Sequence, residues 1–438
     1  PMSNAVPVPR QPAVKKSVAI GLWAVFFTYF VANFFMNAAN VTRPRMAGDL
    51  NGMALFAMAI SLPGLGSAVS TLVFGKLSDM YGRRPVLLAS LIFFAVGAAI
   101  TAIAPSFIIV IVALTIIGIG QGALAPLCFS VLGDLYAPAE RAKWSGLLAI
   151  PAGIAALIGP TLAGIITDSS LNWRGFFWLM VPLVLISGAL VMLGVPALKE
   201  RGKHQIDYLG TVLLIAAAAL MIFAFSWAGS RWPWGSIQII GMLVVSIALW
   251  AAFLMVERKA PEPMLDPQVL GNRTFLTAAL AGFMSFFGLL GIMVYYPLFV
   301  QNVMGQSATV SGSALTPFSF LMAFMGVPAG LLLARTKKYK WMYVAGYGLL
   351  TAMMFVTWTF TQSTPLVLTI VVTALAGLGL GTIPTINTLV AQFAVPRRLL
   401  GVAIGAIFFF VMMGMAIAPA ILGGVMNGVQ ASTSAPVR

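Results

Sequence analysis

The chain has 438 residues, 60% of them hydrophobic and 8% charged, and a mean hydropathy of +1.00. A soluble domain carries about a quarter charged residues, so this chain cannot clothe a water-facing surface and belongs in a membrane. Its 25 cations against 10 acids (net charge +15) suit an anionic lipid leaflet rather than nucleic acid, and one cysteine and one histidine exclude an internal disulfide framework and a histidine-rich metal site.

A membrane-spanning helix needs about 20 apolar residues. In chain order thirteen runs qualify, near 17–40, 53–74, 86–104, 107–132, 144–167, 175–196, 209–228, 236–256, 276–301, 313–334, 341–360, 365–393 and 400–425. Residues 1–16 read as a polar, basic tail with no cleavable signal. With that tail in the cytoplasm, 20 of the 25 cations fall on the inner side, and only Arg43, Arg45, Arg174, Arg231 and Arg438 fall outside. This bias sets the orientation.

In the first run Asn33, Asn37 and Asn40 are spaced by four and three, so they share one helix face. Three amides are costly against lipid, and the stripe is expected to line a cavity or a neighbouring helix. Arg43 extends the stripe, either attracting an anionic group or snorkelling to the outer headgroups.

Between the second and third runs stands a charged island, Gly75-Lys76-Leu77-Ser78-Asp79-Met80-Tyr81-Gly82-Arg83-Arg84. Three cations and a carboxylate cannot stay in lipid, so the island is expected to be a tight loop on the water side. Gly75 and Gly82 would supply the turn geometry and the close approach of two helices. At the inner end of the fourth run Asp134 joins Asp79 and Arg83.

Further cavity candidates are Gln121 in the fourth run, Tyr295, Tyr296 and Gln301 in the ninth, Ser313 and Thr316 in the tenth, and Asn387 in the twelfth. Each is equally open to a helix–helix hydrogen bond. Phe34, Phe35, Phe286, Phe287 and Phe408 through Phe410 offer an apolar pocket. In the fifth run Gly159, Pro160 and Gly164 combine a missing N–H with small packing surfaces, which reads as a packing bend first and a hinge second.

The acids are placed unusually. Asp49 and Asp168 fall outside, the other eight at or beyond the inner rim, and the 172 residues after Asp266 hold none. His204 lies in an inner loop. No carboxylate stands at mid-membrane, where a proton-coupled carrier keeps one.

The island resembles the loop signature of the major facilitator superfamily. The resemblance extends over most of residues 17–425. Gly118-Ile119-Gly120-Gln121-Gly122-Ala123 is similar to the family's fourth-helix motif, with Gly118 where an arginine is usual. Gly146, Gly159, Pro160 and Gly164 resemble its antiporter motif, with Ala155 and Ala163 replacing two glycines. Trp173-Arg174-Gly175-Phe176-Phe177, Glu257, Pro263 to Asp266, Asn272 to Phe275, Tyr296 to Gln301, Gly305, Gly312 and Pro317 follow in the order of the fourteen-span drug:proton antiporters. A fainter copy of the island appears at Gly330 through Lys338.

The resemblance implies an all-α membrane fold of two six-helix bundles with two extra linker helices. It divides the chain into a tail (1–16), an N-terminal bundle (17–200), a linker (201–274) and a C-terminal bundle (275–438) holding five of six helices. An even span count is implied, so the last helix is expected to be absent from this chain. The resemblance also implies that Gly75, Asp79, Gly82, Arg83, Arg84 and Asp134 form a gating network latching the halves on the cytoplasmic side. Aligned at Pro44, the family's acidic position of the first span falls on Phe35.

The expected function is secondary export of hydrophobic or amphipathic small molecules by alternating access. Proton coupling is implied by the resemblance and weakened by the acid map, leaving Asp79, Asp134 or Asp168 to carry it. Neutral or anionic substrates fit that map better than cations. The alternatives are a uniporter or importer of a neutral or anionic metabolite, and a transporter-like sensor or scaffold. No nucleophile–base pair or phosphate loop points to an enzyme. No cofactor is expected; the partners are a small molecule, protons if coupled, and lipid. The expected setting is a monomer in a bacterial inner membrane.

Overall fold

In a computed structural model, residues 14–135, 144, 147–196, 208–229, 231–258, 267–336, 338–395 and 400–434 are described. Apart from an isolated two-residue bridge, Ala228 with Trp232, the regular structure of these residues is helical. Lipid offers no partner for backbone N–H and C=O groups, so a spanning chain satisfies them within helices. The helices are α1 (Val14–Asp49), α2 (Met58–Tyr81), α3 (Arg83–Ile103), α4 (Phe107–Leu135), α5 (Ala149–Asp168), α6 (Asn172–Gly194), α7 (Tyr208–Trp227) and α8 (Ile237–Glu257). After a one-turn helix at Pro267–Leu270 come α9 (Arg273–Met293), α10 (Tyr295–Asn302), α11 (Ala308–Phe324), α12 (Gly326–Thr336), α13 (Lys340–Thr357), α14 (Leu366–Ala394) and α15 (Leu400–Ser434).

Among the described residues, twelve helical segments are long and apolar enough to cross a membrane, one fewer than expected. The exception is α13, an 18-residue helix carrying Lys340, Trp341, Tyr343 and Tyr347, which is long enough but too polar to count among them. Two expected runs are interrupted. The ninth divides at Val294, where Pro297 withholds the N–H that the Met293 carbonyl would accept; the tenth divides at Met325, ahead of Pro328.

The expected ten-residue loop is a one-residue turn. Helix α2 continues through Lys76, Ser78 and Asp79 to Tyr81, and α3 starts at Arg83. Gly82 joins them at φ 93° and ψ 160°, a backbone region open to glycine alone. Gly75 does not serve close approach, because a Cβ there would meet no atom within 4 Å. The segments 1–13, 136–143, 145–146, 197–207, 259–266 and 396–399 lie outside the described residues. With them lie the expected positions of Arg10, Glu140, Arg141, Lys143, Gly146, Lys199, Glu200, Arg201, Lys203, His204, Asp207, Lys259, Glu262, Asp266, Arg397 and Arg398, and likewise Lys337 and Arg438.

One packing pattern occurs twice. In the first half α2 and α3 pack on α4, and α1 packs on α4 and α5. In the second half α11 and α13 pack on α14, and α9 packs on α14 and α15. Two crossed pairs join the halves, α5 with α11 and α2 with α15, while α7 and α8 pair with each other and α7 lies along α2 and α15. Helix α6 packs on α1 and α3. The matching place between α9 and α13 is a groove of about 470 Å³ lined by Met284, Gly288, Leu350, Met354, Phe355 and Trp358, among others.

Candidate functional site

The chain direction of each helix defines two ends: a basic end, carrying the Gly82 turn, and a far end. The close contacts between the halves lie towards the far end. Thr161 and Thr316 share a hydrogen bond of 2.9 Å between α5 and α11. Gly312 lies against the carbonyl of Pro160, and Gly164 against that of Ala308, with no room for a Cβ at either. Asp168, the last residue of α5, accepts from the backbone N–H of Ala308 (3.1 Å) and Thr309 (2.6 Å) and from the Thr309 hydroxyl (2.5 Å). A carboxylate on the first N–H groups of a helix is favoured by the helix dipole. Gln301 on α10 donates to the Val41 carbonyl of α1 (3.1 Å) and to Ser311 Oγ (3.3 Å). Between α2 and α15, Gly64 meets the Ala416 backbone and Gly423 meets Ala57. Towards the basic end, Gly75 on α2 and Gly153 on α5 face no atom within 4 Å of a Cβ.

The α1 stripe divides along its length. Tyr29, Asn33 and Met36 are half-buried, whereas Asn37, Asn40 and Arg43 are buried. Each asparagine donates to the carbonyl four residues back, at 2.8 Å from Asn33, 2.9 Å from Asn37 and 3.1 Å from Asn40. Arg43 is 6% exposed and so does not snorkel to headgroups; its Nη1 donates to Asn40 Oδ1.

Several expected lining residues are instead held in helix contacts. Gln121 donates to the Ala32 carbonyl (3.1 Å), Tyr295 to the Pro419 carbonyl (3.2 Å), and buried Tyr296 pairs with Thr369 Oγ1 (2.8 Å). Asn387 is buried and accepts from the Tyr343 hydroxyl. The expected aromatic pocket is a packed core at Phe34 and Phe35: Phe35 is 4% exposed, against Phe94, Phe176 and Phe177. Gly159 faces Asn37 and Ala38 of α1, and α5 runs unbroken through Pro160. Gly118 lies against the Pro63 backbone, so an arginine would part α2 from α4.

At the basic end Arg83 Nε stands 3.4 Å from Asp134 Oδ2. Arg83 Nη1 donates to Ser78 Oγ (2.6 Å), which donates to the Gly75 carbonyl (2.7 Å). These partners tie α2, α3 and α4 of the first half. The Asp79 side chain lies outside the described atoms, and Arg84 is half-buried.

Sequence reasoning named Gly164, Asp168, Gln301, Gly312 and Thr316 but missed that they meet across the far-end joint. Its signals were there: Ser307 begins a helix with its hydroxyl accepting from Val310 N–H (3.2 Å), and Asp168 ends one. Pairing them needs the tertiary crossing of α5 and α11, which no local spacing provides.

Two halves of like packing, crossed at two helix pairs and built of helices long and apolar enough to cross a membrane, define an all-helical multi-pass membrane fold. The family model described as Major Facilitator Superfamily matches residues 25–208 and 206–419, and the chain belongs to that superfamily. It is 30% identical over 384 residues to the multidrug transporter protein MdtP of Bacillus subtilis, covering 88% of this chain and 71% of the relative. To multidrug resistance protein 3 of the same organism it is 32% identical over 357 residues, covering 82% and 69%. An uncharacterized MFS-type transporter of Mycobacterium tuberculosis, Rv1877, is 28% identical over 404 residues, 91% of this chain and 59% of its own length. A crystal structure of the peptide transporter POT in complex with sulfate shares the fold, with a TM-score of 0.70 at 13% identity over 94% of this chain and 93% of that one. So does a bacterial homolog of the human lysosomal transporter Spinster, inward-facing and unoccupied, at 0.65 and 15% over 97% and 84%.

Proposed function

We propose that the chain is a secondary transporter exporting hydrophobic or amphipathic small molecules by alternating access. The observation that carries this reading is the seal of glycines, hydroxyls and one helix-capping carboxylate towards the far end, with Gly75 and Gly153 facing open space towards the other. Small surfaces, neutral hydrogen bonds and an exposed carboxylate on a helix N-terminus separate without stranding a buried ion pair. An apolar groove of about 590 Å³ between α2, α4 and α7, lined by Leu65, Val69, Phe74, Ile116 and Ile215 among others, suits hydrophobic compounds arriving from the bilayer. The names of the multidrug relatives favour export. The basic end is read as cytoplasmic in a bacterial inner membrane, the N-terminal tail with it, and the carrier as a monomer. We read this arrangement as inward-open, and Gly159, Pro160 and Gly164 as packing surfaces more than as a hinge.

Coupling to protons would run through Asp79, Asp134 or Asp168 at the rims. Efflux of Nile red from sealed vesicles holding the full chain, with and without an imposed pH gradient, tests the reading. Export faster than in protein-free vesicles and slowed by collapsing the gradient supports proton-coupled export. Flux indifferent to the gradient favours the second reading, a uniporter or importer of a neutral or anionic metabolite, which the burial of Arg43 in a carboxylate-poor interior suits. No flux at all favours a sensor or scaffold.

A further inference from the structure

The α1 stripe rises from half-buried Tyr29, Asn33 and Met36 to a guanidinium enclosed at the sealed end. Among the described residues Arg43 has one side-chain partner, the neutral Asn40 Oδ1 on its Nη1, and its buried Nε has none. The neighbouring acid in the chain, Asp49, is engaged by Asn172 Nδ2 (2.9 Å) and Trp173 Nε1 (3.0 Å). The carboxylate of Asp168 is held by α11. A desolvated cation without a counter-ion is costly, and a structure keeps one where an anion visits. With Nη1 taken, the Nε–Nη2 edge remains, and two parallel N–H groups match the two oxygens of a carboxylate or sulfonate. Asn37 Oδ1, six residues back on the same helix and so about 9 Å along its axis, is a second buried atom without a partner.

We infer that Arg43 is the headgroup site for an amphipathic organic anion, whose oxygens take the free guanidinium edge while its apolar body lies down the stripe towards Asn33. The site rests on the transport reading and narrows it from hydrophobic or amphipathic compounds to organic anions. The Gln301 bond to Val41 then gains a role. It closes the far end two residues from the headgroup, so the seal must part for the anion to leave on that side.

The test uses the purified full chain in a neutral maltoside detergent, titrated calorimetrically with 1-naphthoate and with 1-naphthamide, which share a ring system and differ in charge. Naphthoate should bind about tenfold tighter or more, the Arg43→Gln variant should bind both alike, and Arg43→Lys should keep part of the preference, a point charge replacing a fork. Equal binding to the parent, no naphthoate binding, or a preference surviving in Arg43→Gln overturns the inference. A structural role is separated by heating the unliganded proteins. A headgroup site leaves Arg43→Gln unfolding no lower than the parent, because a buried charge has been removed. A fall in unfolding temperature with naphthoate binding unchanged makes Arg43 structural and overturns the inference. Flux of 1-naphthoate and of 1-naphthamide across sealed vesicles holding the full chain distinguishes the two levels: flux of both without anion preference sinks this site alone, and anion preference in binding without protein-dependent flux of naphthoate sinks the transport reading alone.

Discussion

Glycines five residues apart on α5 face different neighbours and should tolerate substitution differently. At Gly164 an added methyl meets the Ala308 and Thr309 backbone, which cannot yield, whereas at Gly159 it meets ordinary contacts of 3.5 Å with α1. Overpacking of the first kind costs about 1–3 kcal/mol. Gly164→Ala should therefore cut vesicle transport severalfold by holding the far end ajar, with Gly159→Ala close to the parent in the same assay. Asp168→Asn keeps the shape of the cap and removes its charge, and a charge at a helix N-terminus is worth about 0.3–1 kcal/mol. It should lower the unfolding temperature slightly and weaken the far-end seal, read as faster alkylation of a cysteine placed at Ser311. At the basic end the partly exposed Arg83–Asp134 pair contributes under about 1 kcal/mol. Asp134→Asn should thus leave expression intact, and slowed turnover would mark the pair as part of the gate, parent-like transport as ordinary charge neutralisation.

At the scale of helices, the turn at Gly82 is the sharpest prediction. Its φ of 93° with ψ 160° costs a side-chain-bearing residue about 1–3 kcal/mol. Gly82→Ala should lower the unfolding temperature, whereas Gly75→Ala, which meets open space, should not. The sequence distinguished neither glycine from the other, because both flank a charged run and only the backbone shows which one turns. Helix positions were legible because an apolar run is a local property. Breaks at Val294 and Met325 were hidden in those runs, although Pro297 and Pro328 were their signals. What a helix face touches was legible only in part. The spacing of Asn33, Asn37 and Asn40 placed them on one stripe, but the burial of its upper half depends on packing from elsewhere in the chain, including Gln301 on Val41. Phe35, one position from the next face, turned out to be core for the same reason.

For the whole molecule, the twofold repetition of packing explains why the far end can seal with so few specific groups. Each half presents one helix to each crossing, so α5 on α11 and α2 on α15 are near-equivalent contacts, and small residues recur at both. Gly64 on Ala416 is the counterpart of Gly312 on Pro160. Gly64→Leu and Gly312→Leu should then both impair transport, and a substitution that disables one crossing alone would show that the two do not move together. The copy of the charged island at Gly330 through Lys338 was the sequence's trace of this repetition, and it was faint because only the first glycine and some cations recur, with Ala334 and Lys337 where Asp79 and Gly82 stand.

Among the described residues, the Thr161–Thr316 hydroxyl pair and the Gln301–Val41 bond cross the far-end joint with no cation–carboxylate pair beside them. When that joint parts, water can replace each lost hydrogen bond almost isoenergetically, so wetting and drying of one thin layer does the work of a lock. The charged contact described in that layer is Asp168 on the N-terminus of α11, which dissolved ions screen, so the far end should part somewhat faster in concentrated than in dilute salt, and Asp168→Asn should remove the difference.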